Sequence, residues 1–295
     1  QSIELTIDAV LQARVERELR AAVEENRALG GCAIVMDPVT GEILAMASVP
    51  TFDPNAYRRV PWEYRFNRAV QGVYEPGSTF KIVTASAALE EKVARPTTLI
   101  DTGNGTIRIG SRVIDEAEGH RYGVISFSDV IVKSSNVGAV KVGLDLGGER
   151  LGRHIERFGF GTKLSPDFMG ESRGQVPRSS HWTDSTLASV AMGYEINVTP
   201  LQMATAASAV ANGGELVMPR IVRAVITGDR RVPVPRKVIG RATSPETAAE
   251  LTSMMEGVVA HGTAKGAALG DFTVAGKTGT TSKVVDHHYS KTDYN

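Results

Sequence analysis

Glu75-Pro76-Gly77-Ser78-Thr79-Phe80-Lys81-Ile82-Val83-Thr84-Ala85-Ser86-Ala87-Ala88-Leu89-Glu90-Glu91 opens on a Pro-Gly break and continues as a helix from Ser78 to about Glu91. Its small apolar residues, Ala85, Ala87, Ala88 and Leu89, suit close burial. Ser78 stands at the helix start, and Lys81 follows one turn later on the same face. A serine hydroxyl is a weak nucleophile until a base takes its proton. A lysine serves as that base only if burial or a neighbouring cation lowers its pKa. The helix N-terminus also presents backbone N–H groups to a developing oxyanion. Taken alone, the same residues equally describe an N-cap serine followed by a solvated lysine.

Two later segments can complete such a site. Ser134-Ser135-Asn136 follows a helix expected over Ser128–Lys133 and offers a hydroxyl and an amide from one tight loop. By itself it is an ordinary helix-to-helix turn. Lys277-Thr278-Gly279-Thr280 lies within a strand expected over Phe272–Thr281. Alternation there puts Lys277 and Gly279 on one face and Thr278 and Thr280 on the other. Gly279 lets a ligand backbone approach the strand closely, although Lys and Thr are also usual on a protected edge strand.

Around these segments the order is helix, hairpin, helical middle and late strand. Asp8 caps a helix reaching about Leu29. Strands follow over Gly31–Asp37 and Glu42–Ser48, joined through Pro38-Val39-Thr40-Gly41. Pro50–Pro61 is a turn-rich connector, and Asp101–Ile114 suggests a small hairpin. Further helices are expected at Val137–Leu146, Glu149–Phe158, Pro200–Ala211 and Pro245–Val259, with a long irregular loop over Ser165–Thr183. The fold class is α/β (α+β): an antiparallel sheet built from both ends of the chain, flanked by helices, with a large, mostly helical insertion.

The 295 residues are 42% hydrophobic and 22% charged, enough for a sizeable core. The formal net charge is zero, so no general attraction to nucleic acid is expected. The single cysteine, Cys32, lies in an apolar run and reads as a small buried hydrophobe. No run approaches the roughly 18 apolar residues of a membrane helix, and no signal peptide is visible. The chain starts at Gln1 and reads as a piece of a longer protein.

Ser-x-x-Lys, Ser-x-Asn and Lys-Thr-Gly together form the motif set of penicillin-binding proteins and class A β-lactamases. Here they occur in that order, and Ser78 begins the only Ser-x-x-Lys of the chain. Leu5-Thr6-Ile7-Asp8, the hairpin from Asp37 to Met46, and Val198-Thr199-Pro200-Leu201-Gln202 agree with them. Over essentially its whole length the chain resembles the transpeptidase domain of class B penicillin-binding proteins. The run Glu75–Lys81 is most similar to the division- and sporulation-specific enzymes.

The resemblance implies a D,D-transpeptidase that needs no cofactor and no metal. Ser78 would attack a stem peptide ending in D-Ala-D-Ala, with Lys81 as base. Ser134 would relay a proton, Asn136 would hold the substrate amide, and Lys277 would shape the field. Thr278, Gly279 and Thr280 would receive the terminal carboxylate side of the substrate. The backbone N–H groups of Ser78 and Thr280 would form the oxyanion hole. It implies β-lactam antibiotics as covalent inhibitors and a membrane glycosyltransferase (FtsW-like) as a partner of the full-length protein. The setting would be the extracytoplasmic face of a bacterial cytoplasmic membrane, with an N-terminal anchor and pedestal domain outside residues 1–295.

Two departures stand out. Glu195, in Gly193-Tyr194-Glu195, occupies a position where relatives often carry glycine. The chain also stops at Asn295, before the two strands and closing helix that the family places after Lys-Thr-Gly. The domain is therefore expected to be C-terminally incomplete, with either a gap in the sheet or a disordered segment after about Thr281, and a poorly packed stretch over His287–Asn295. The alternatives are a serine β-lactamase, for which Glu171 with Gln175 is a faint candidate, and a β-lactam-binding sensor or division scaffold without turnover. His287-His288 reads as a loop rather than a zinc site.

Overall fold

The computed structural model describes the backbone of residues 1–285 and 288–294, with side chains as far as Thr281. Strand β1 (Ser2–Leu5) leads through buried Thr6, whose hydroxyl donates to the Ile43 carbonyl at 2.6 Å, into helix α1 (Ala9–Glu25). Asp8 caps α1 by accepting from the Val10 and Leu11 N–H groups, both at 2.9 Å. The helix stops earlier than expected because Asn26 caps it and Arg27 turns left-handed at φ 50°. Strands β2 (Gly31–Met36) and β3 (Ile43–Val49) form the expected antiparallel hairpin, in register from Gly31↔Val49 to Met36↔Ile43. On β3, the Gln12 amide donates to the Met46 carbonyl and accepts from its N–H. One helix side chain thus supplies part of what a neighbouring strand would.

Short helices α2 (Trp62–Arg65) and α3 (Arg68–Gln71) precede helix α4 (Lys81–Glu90), whose residues Lys81 to Leu89 are all buried. A minor β region comes next, with β4 (Leu99–Asp101), β5 (Thr106–Ile109), β6 (Arg112–Asp115) and β7 (Val124–Ser126). Within it β4 pairs with β7 and β5 with β6. Helices α5 (Phe127–Val132), α6 (Asn136–Leu146) and α7 (Gly148–Arg157) then pack against α4, and α8 (Asp184–Met192) packs on α6. The α6–α8 approach depends on Gly143, where an added Cβ would lie 2.4 Å from the Ala191 Cβ. Helix α9 (Pro200–Ala211) begins at a Thr199–Gln202 capping box. Strands β8 (Glu215–Val217), β9 (Val222–Thr227), β10 (Arg230–Pro233) and β11 (Val238–Arg241) follow, and then helix α10 (Pro245–Ala260).

The architecture is mixed α/β with antiparallel sheets and a helical middle, as expected, but the strand pairing differs. β9 lies between β1 and β10, and β11 pairs with β8. Glu42 bridges to Arg220 in parallel, so the early hairpin joins residues just before β9. Among the described residues, β2 and β3 form a two-stranded sheet. The expected strand over Phe272–Thr281 is not formed. Its backbone makes single anchors instead of a ladder: Gly276 N–H donates to Met255 O on α10, and Leu269 bridges Phe272. The strands come later, β12 (Ser282–Val285) pairing with β13 (His288–Tyr294). The expectation of poor packing at His287–Asn295 concerns side chains that lie outside the described residues.

Glu90, at the end of α4, ties the buried helix to α10. Its carboxylate accepts from the Ser244 hydroxyl at 2.8 Å, the Ser244 N–H at 3.1 Å and the Thr243 hydroxyl at 3.0 Å. Burial alone would raise its pKa, but these bonds and one from Thr247 outweigh it and bring the pKa down to about 2. A depressed carboxylate adds stability above its unfolded value, and that stability is lost as pH falls through the folded value. Glu90→Gln is therefore expected to lower the thermal midpoint at neutral pH. The gap between the two proteins should close between pH 4.5 and about 2. An equal gap at pH 2 and pH 7 would refute the assignment.

Candidate active site

The Pro76-Gly77 break builds a turn of 3-10 helix over Gly77–Phe80 that runs directly into α4. Gly77 holds φ 52° and donates its N–H to the Gly193 carbonyl at 3.0 Å. Gly193 in turn ends α8 at φ 89°, and a Cβ there would fall 2.1 Å from the Gly77 carbonyl oxygen. Two glycine backbones in contact therefore fix the turn that carries Ser78. Phe80 is fully buried, edge-on to Phe160 at 5.3 Å, and anchors the same turn from below. Ser78 itself is half-buried, and among the described residues no hydrogen bond ties down its hydroxyl.

One turn on, Lys81 is fully buried, at 0% exposure. Its Nζ lies 2.7 Å from the Ser134 carbonyl, 2.8 Å from Asn136 Oδ1 and 3.4 Å from Ser134 Oγ. Ser134 adopts a left-handed backbone, φ 57°, which is uncommon for a residue with a side chain. That conformation brings its carbonyl and its hydroxyl to the same amine. Lys277 approaches from the other side, its Nζ 2.8 Å from Ser134 Oγ and 3.0 Å from the Thr278 carbonyl. Ser134 Oγ thus sits between two lysine nitrogens. Burial, then the charge of Lys277, drives the Lys81 pKa well below its ordinary value, and the charge of Glu116 opposes this. Burial also lowers Lys277, to about 8. Lys81 is thus a buried amine whose neutral form is favoured more than in an exposed lysine.

The segment after Lys277 lies against the Ser78 turn. A Cβ on Gly279 would stand 2.8 Å from Thr79 Cγ2 and 3.2 Å from both Pro76 O and Thr79 N. The space expected for a ligand backbone at Gly279 is taken instead by the protein's own turn. Thr281 is buried and donates to the Glu75 carbonyl at 3.0 Å. Thr278 and Thr280 are exposed beside this contact. Thr278 is held by Thr263, hydroxyl to hydroxyl at 2.7 Å, a partner the sequence reading did not include. Hydrogen bonds join Lys81, Ser134, Asn136 and Lys277, and Gly279 lies against the turn that carries Ser78, although no strand carries residues 277–280.

A family model described as the penicillin binding protein transpeptidase domain matches residues 31–295. Stage V sporulation protein D of Bacillus subtilis is 36% identical over 99% of this chain and 46% of its own length. The chain belongs to the penicillin-binding protein transpeptidase family. Peptidoglycan D,D-transpeptidase FtsI of Escherichia coli is 35% identical over 96% of the chain and 46% of its own length. The chain spans about half the length of these curated relatives. Among solved structures, penicillin-binding protein 3 of Mycobacterium tuberculosis, complexed with aztreonam, superposes with a TM-score of 0.93 at 33% identity. That match covers 99% of this chain and 67% of the other.

Against this family background, the two unusual carboxylates have clear structural places. Glu195 occupies the left-handed conformation, φ 56°, that favours glycine. Its carboxylate accepts from the Ser189 hydroxyl at 2.7 Å and pairs with Arg112 at 3.5 Å, while its N–H donates to Glu75 at 2.8 Å. It braces the rim and makes no hydrogen bond to the Lys81 cluster. Glu171 is buried, with a pKa raised by burial, and accepts from the Leu164 and Ser165 N–H groups at 2.8 and 3.0 Å. Its oxygens organise its own loop.

Proposed function

We propose that this chain is the acyl-transfer domain of a peptidoglycan D,D-transpeptidase. The observation that carries the reading is Lys81, a fully buried amine one turn from Ser78 and bonded to both Ser134 and Asn136. Ser78 Oγ attacks the carbonyl of the penultimate D-alanine as Lys81 takes its proton. The backbone N–H groups of Ser78 and Thr280 receive the oxyanion. The C–N bond breaks, and the departing D-alanine amine takes a proton through Ser134, which lies between Lys81 and Lys277. Asn136 holds the donor amide, Thr278 and Thr280 bind the terminal carboxylate, and Lys277 contributes positive charge. The amine of a second stem peptide then attacks the acyl-enzyme, forming the cross-link and freeing Ser78.

A β-lactam opens on the same serine, but its amine leaving group remains attached, so the acyl-enzyme persists. The position of Glu171, committed to its own loop, supports slow deacylation over a class A β-lactamase. We further propose that the enzyme works on the extracytoplasmic face of a bacterial cytoplasmic membrane, where stem peptides are displayed, beside a membrane glycosyltransferase. Among the described residues, no helix is long and apolar enough to cross a membrane.

The test is intact-protein mass after benzylpenicillin, followed over time, together with D-alanine release from a D-Ala-D-Ala stem peptide. One long-lived adduct on the Ser78 peptide and measurable release are expected. Hydrolysis of nitrocefin at many cycles per second would overturn the reading in favour of a β-lactamase.

A further inference from the structure

Glu116 has no part in the steps above, yet it is 4% exposed and directly touches the second motif. It follows β6, in the turn that leads through Ala117–Gly119. One carboxylate oxygen accepts the Ser135 hydroxyl at 2.5 Å, and the other accepts the Asn136 N–H at 2.6 Å. Ser135 passes the contact on by accepting the Gly138 N–H at 2.9 Å, which caps α6. A buried carboxylate is costly unless fully bonded, and the first turn of α6 supplies the N–H groups and the dipole that favour it. The neighbouring Asp115 carbonyl accepts Asn136 Nδ2 at 3.0 Å, which turns Oδ1 toward Lys81.

We propose that Glu116 is a positioning residue for acyl transfer: it clamps Ser135 and the Asn136 backbone, and so holds left-handed Ser134 and the Asn136 amide against Lys81. The inference rests on the acyltransferase reading of the same cleft. The clamp acts on Ser135 and Asn136, the two residues that follow left-handed Ser134, where the chain would otherwise relax. Glu116 is also the carboxylate whose field reaches Lys81, opposing Lys277. Around Glu116 itself stand Tyr122 and Glu118, with Lys133 over the Tyr122 ring at 5.4 Å.

The test is the rate of benzylpenicillin acylation across pH, split into initial binding and the acylation step, for wild type, Glu116→Gln, Glu116→Ala and Ser135→Ala. Misplacement of catalytic groups by about 1 Å costs on the order of 10²-fold. Glu116→Ala is expected to lose about that much in the acylation step with little change in binding. Glu116→Gln keeps the shape but loses the charge, so Lys81 deprotonates more readily. Its acid limb should move to lower pH. A merely structural role would loosen the pocket, admit water to Lys81 and move the limb upward, or leave it in place. Should Glu116→Ala fail to fold, Glu116→Gln and Ser135→Ala carry the test. Variants within twofold of a normally acylated wild type, or an unmoved limb in Glu116→Gln, would overturn the inference. A wild type that takes no adduct would overturn the acyltransferase reading itself, and the inference with it.

Discussion

Ser78→Ala is expected to abolish the penicillin adduct completely while the protein melts within a degree or two of wild type. Acyl transfer needs an oxygen nucleophile on the turn that leads into α4, and the Thr79 hydroxyl beside Ser78 is already bonded to the Pro76 carbonyl at 2.7 Å. Ser134 is the alternative hydroxyl in the cleft, but its Oγ lies 2.8 Å from Lys277 and 3.4 Å from Lys81 and is held between them. Deleting the Ser78 hydroxyl breaks no hydrogen bond among the described residues, and alanine is well tolerated in a helical first turn. The stability change should therefore stay within about 0.5 kcal/mol, as for substitutions that lose neither packing nor a buried partner. Intact mass and a thermal melt of the same sample check both halves. An adduct on Ser78→Ala, or one mapped to Ser134, would remove Ser78 from the nucleophile's role.

Much of this arrangement was legible in the sequence because it rests on local signals. Asp8, Thr199 and Ser244 announce their helices, since a cap acts within one turn of itself. The three motifs were legible as a set because each is short and contiguous. Contacts made by distant residues left no such mark. Nothing near Glu116 indicates that its carboxylate reaches Ser135, nor does Thr263 reveal that it holds Thr278. Helix α8 was missed because Leu187, Ala188, Val190 and Ala191 are all buried, so no polar face gave it a period. Its Thr183 cap and Gly193 stop were available as signals. The β9–β10 hairpin was missed as well, although Gly228-Asp229 between β-prone runs was available as a signal. The strand expected at Phe272–Thr281 shows the limit from the other side. Alternation in a sequence describes a strand only when a neighbouring edge accepts its backbone, and here the Gly276 N–H bonds to α10 and the Thr281 hydroxyl to the Glu75 carbonyl instead.

Lys81→Ala is expected to slow acylation by about 10²–10⁴-fold, the usual contribution of a positioned general base. Lys81→Arg should fare no better, because a guanidinium stays protonated and cannot accept the serine proton. The same residue leaves a signature in stability whose sign can be worked out. Its folded pKa lies well below the ordinary 10.5, so between the two values the unfolded chain binds a proton that the native chain does not. Stability therefore rises with pH across that interval, and below the folded value the cost of burying the amine is constant. Lys81→Met fills similar space with nothing to titrate. It removes that cost but leaves the Ser134 carbonyl and Asn136 Oδ1 without their donor, which opposes the gain by about 1–3 kcal/mol for each buried acceptor. The net offset at one pH mixes both effects, whereas the slope belongs to the proton alone. Wild type should gain thermal stability on Lys81→Met steadily as pH rises toward 10.5. A pH-independent difference would mean that Lys81 stays protonated in the folded protein. Near-normal acylation by folded Lys81→Ala would mean that another group takes the proton from Ser78.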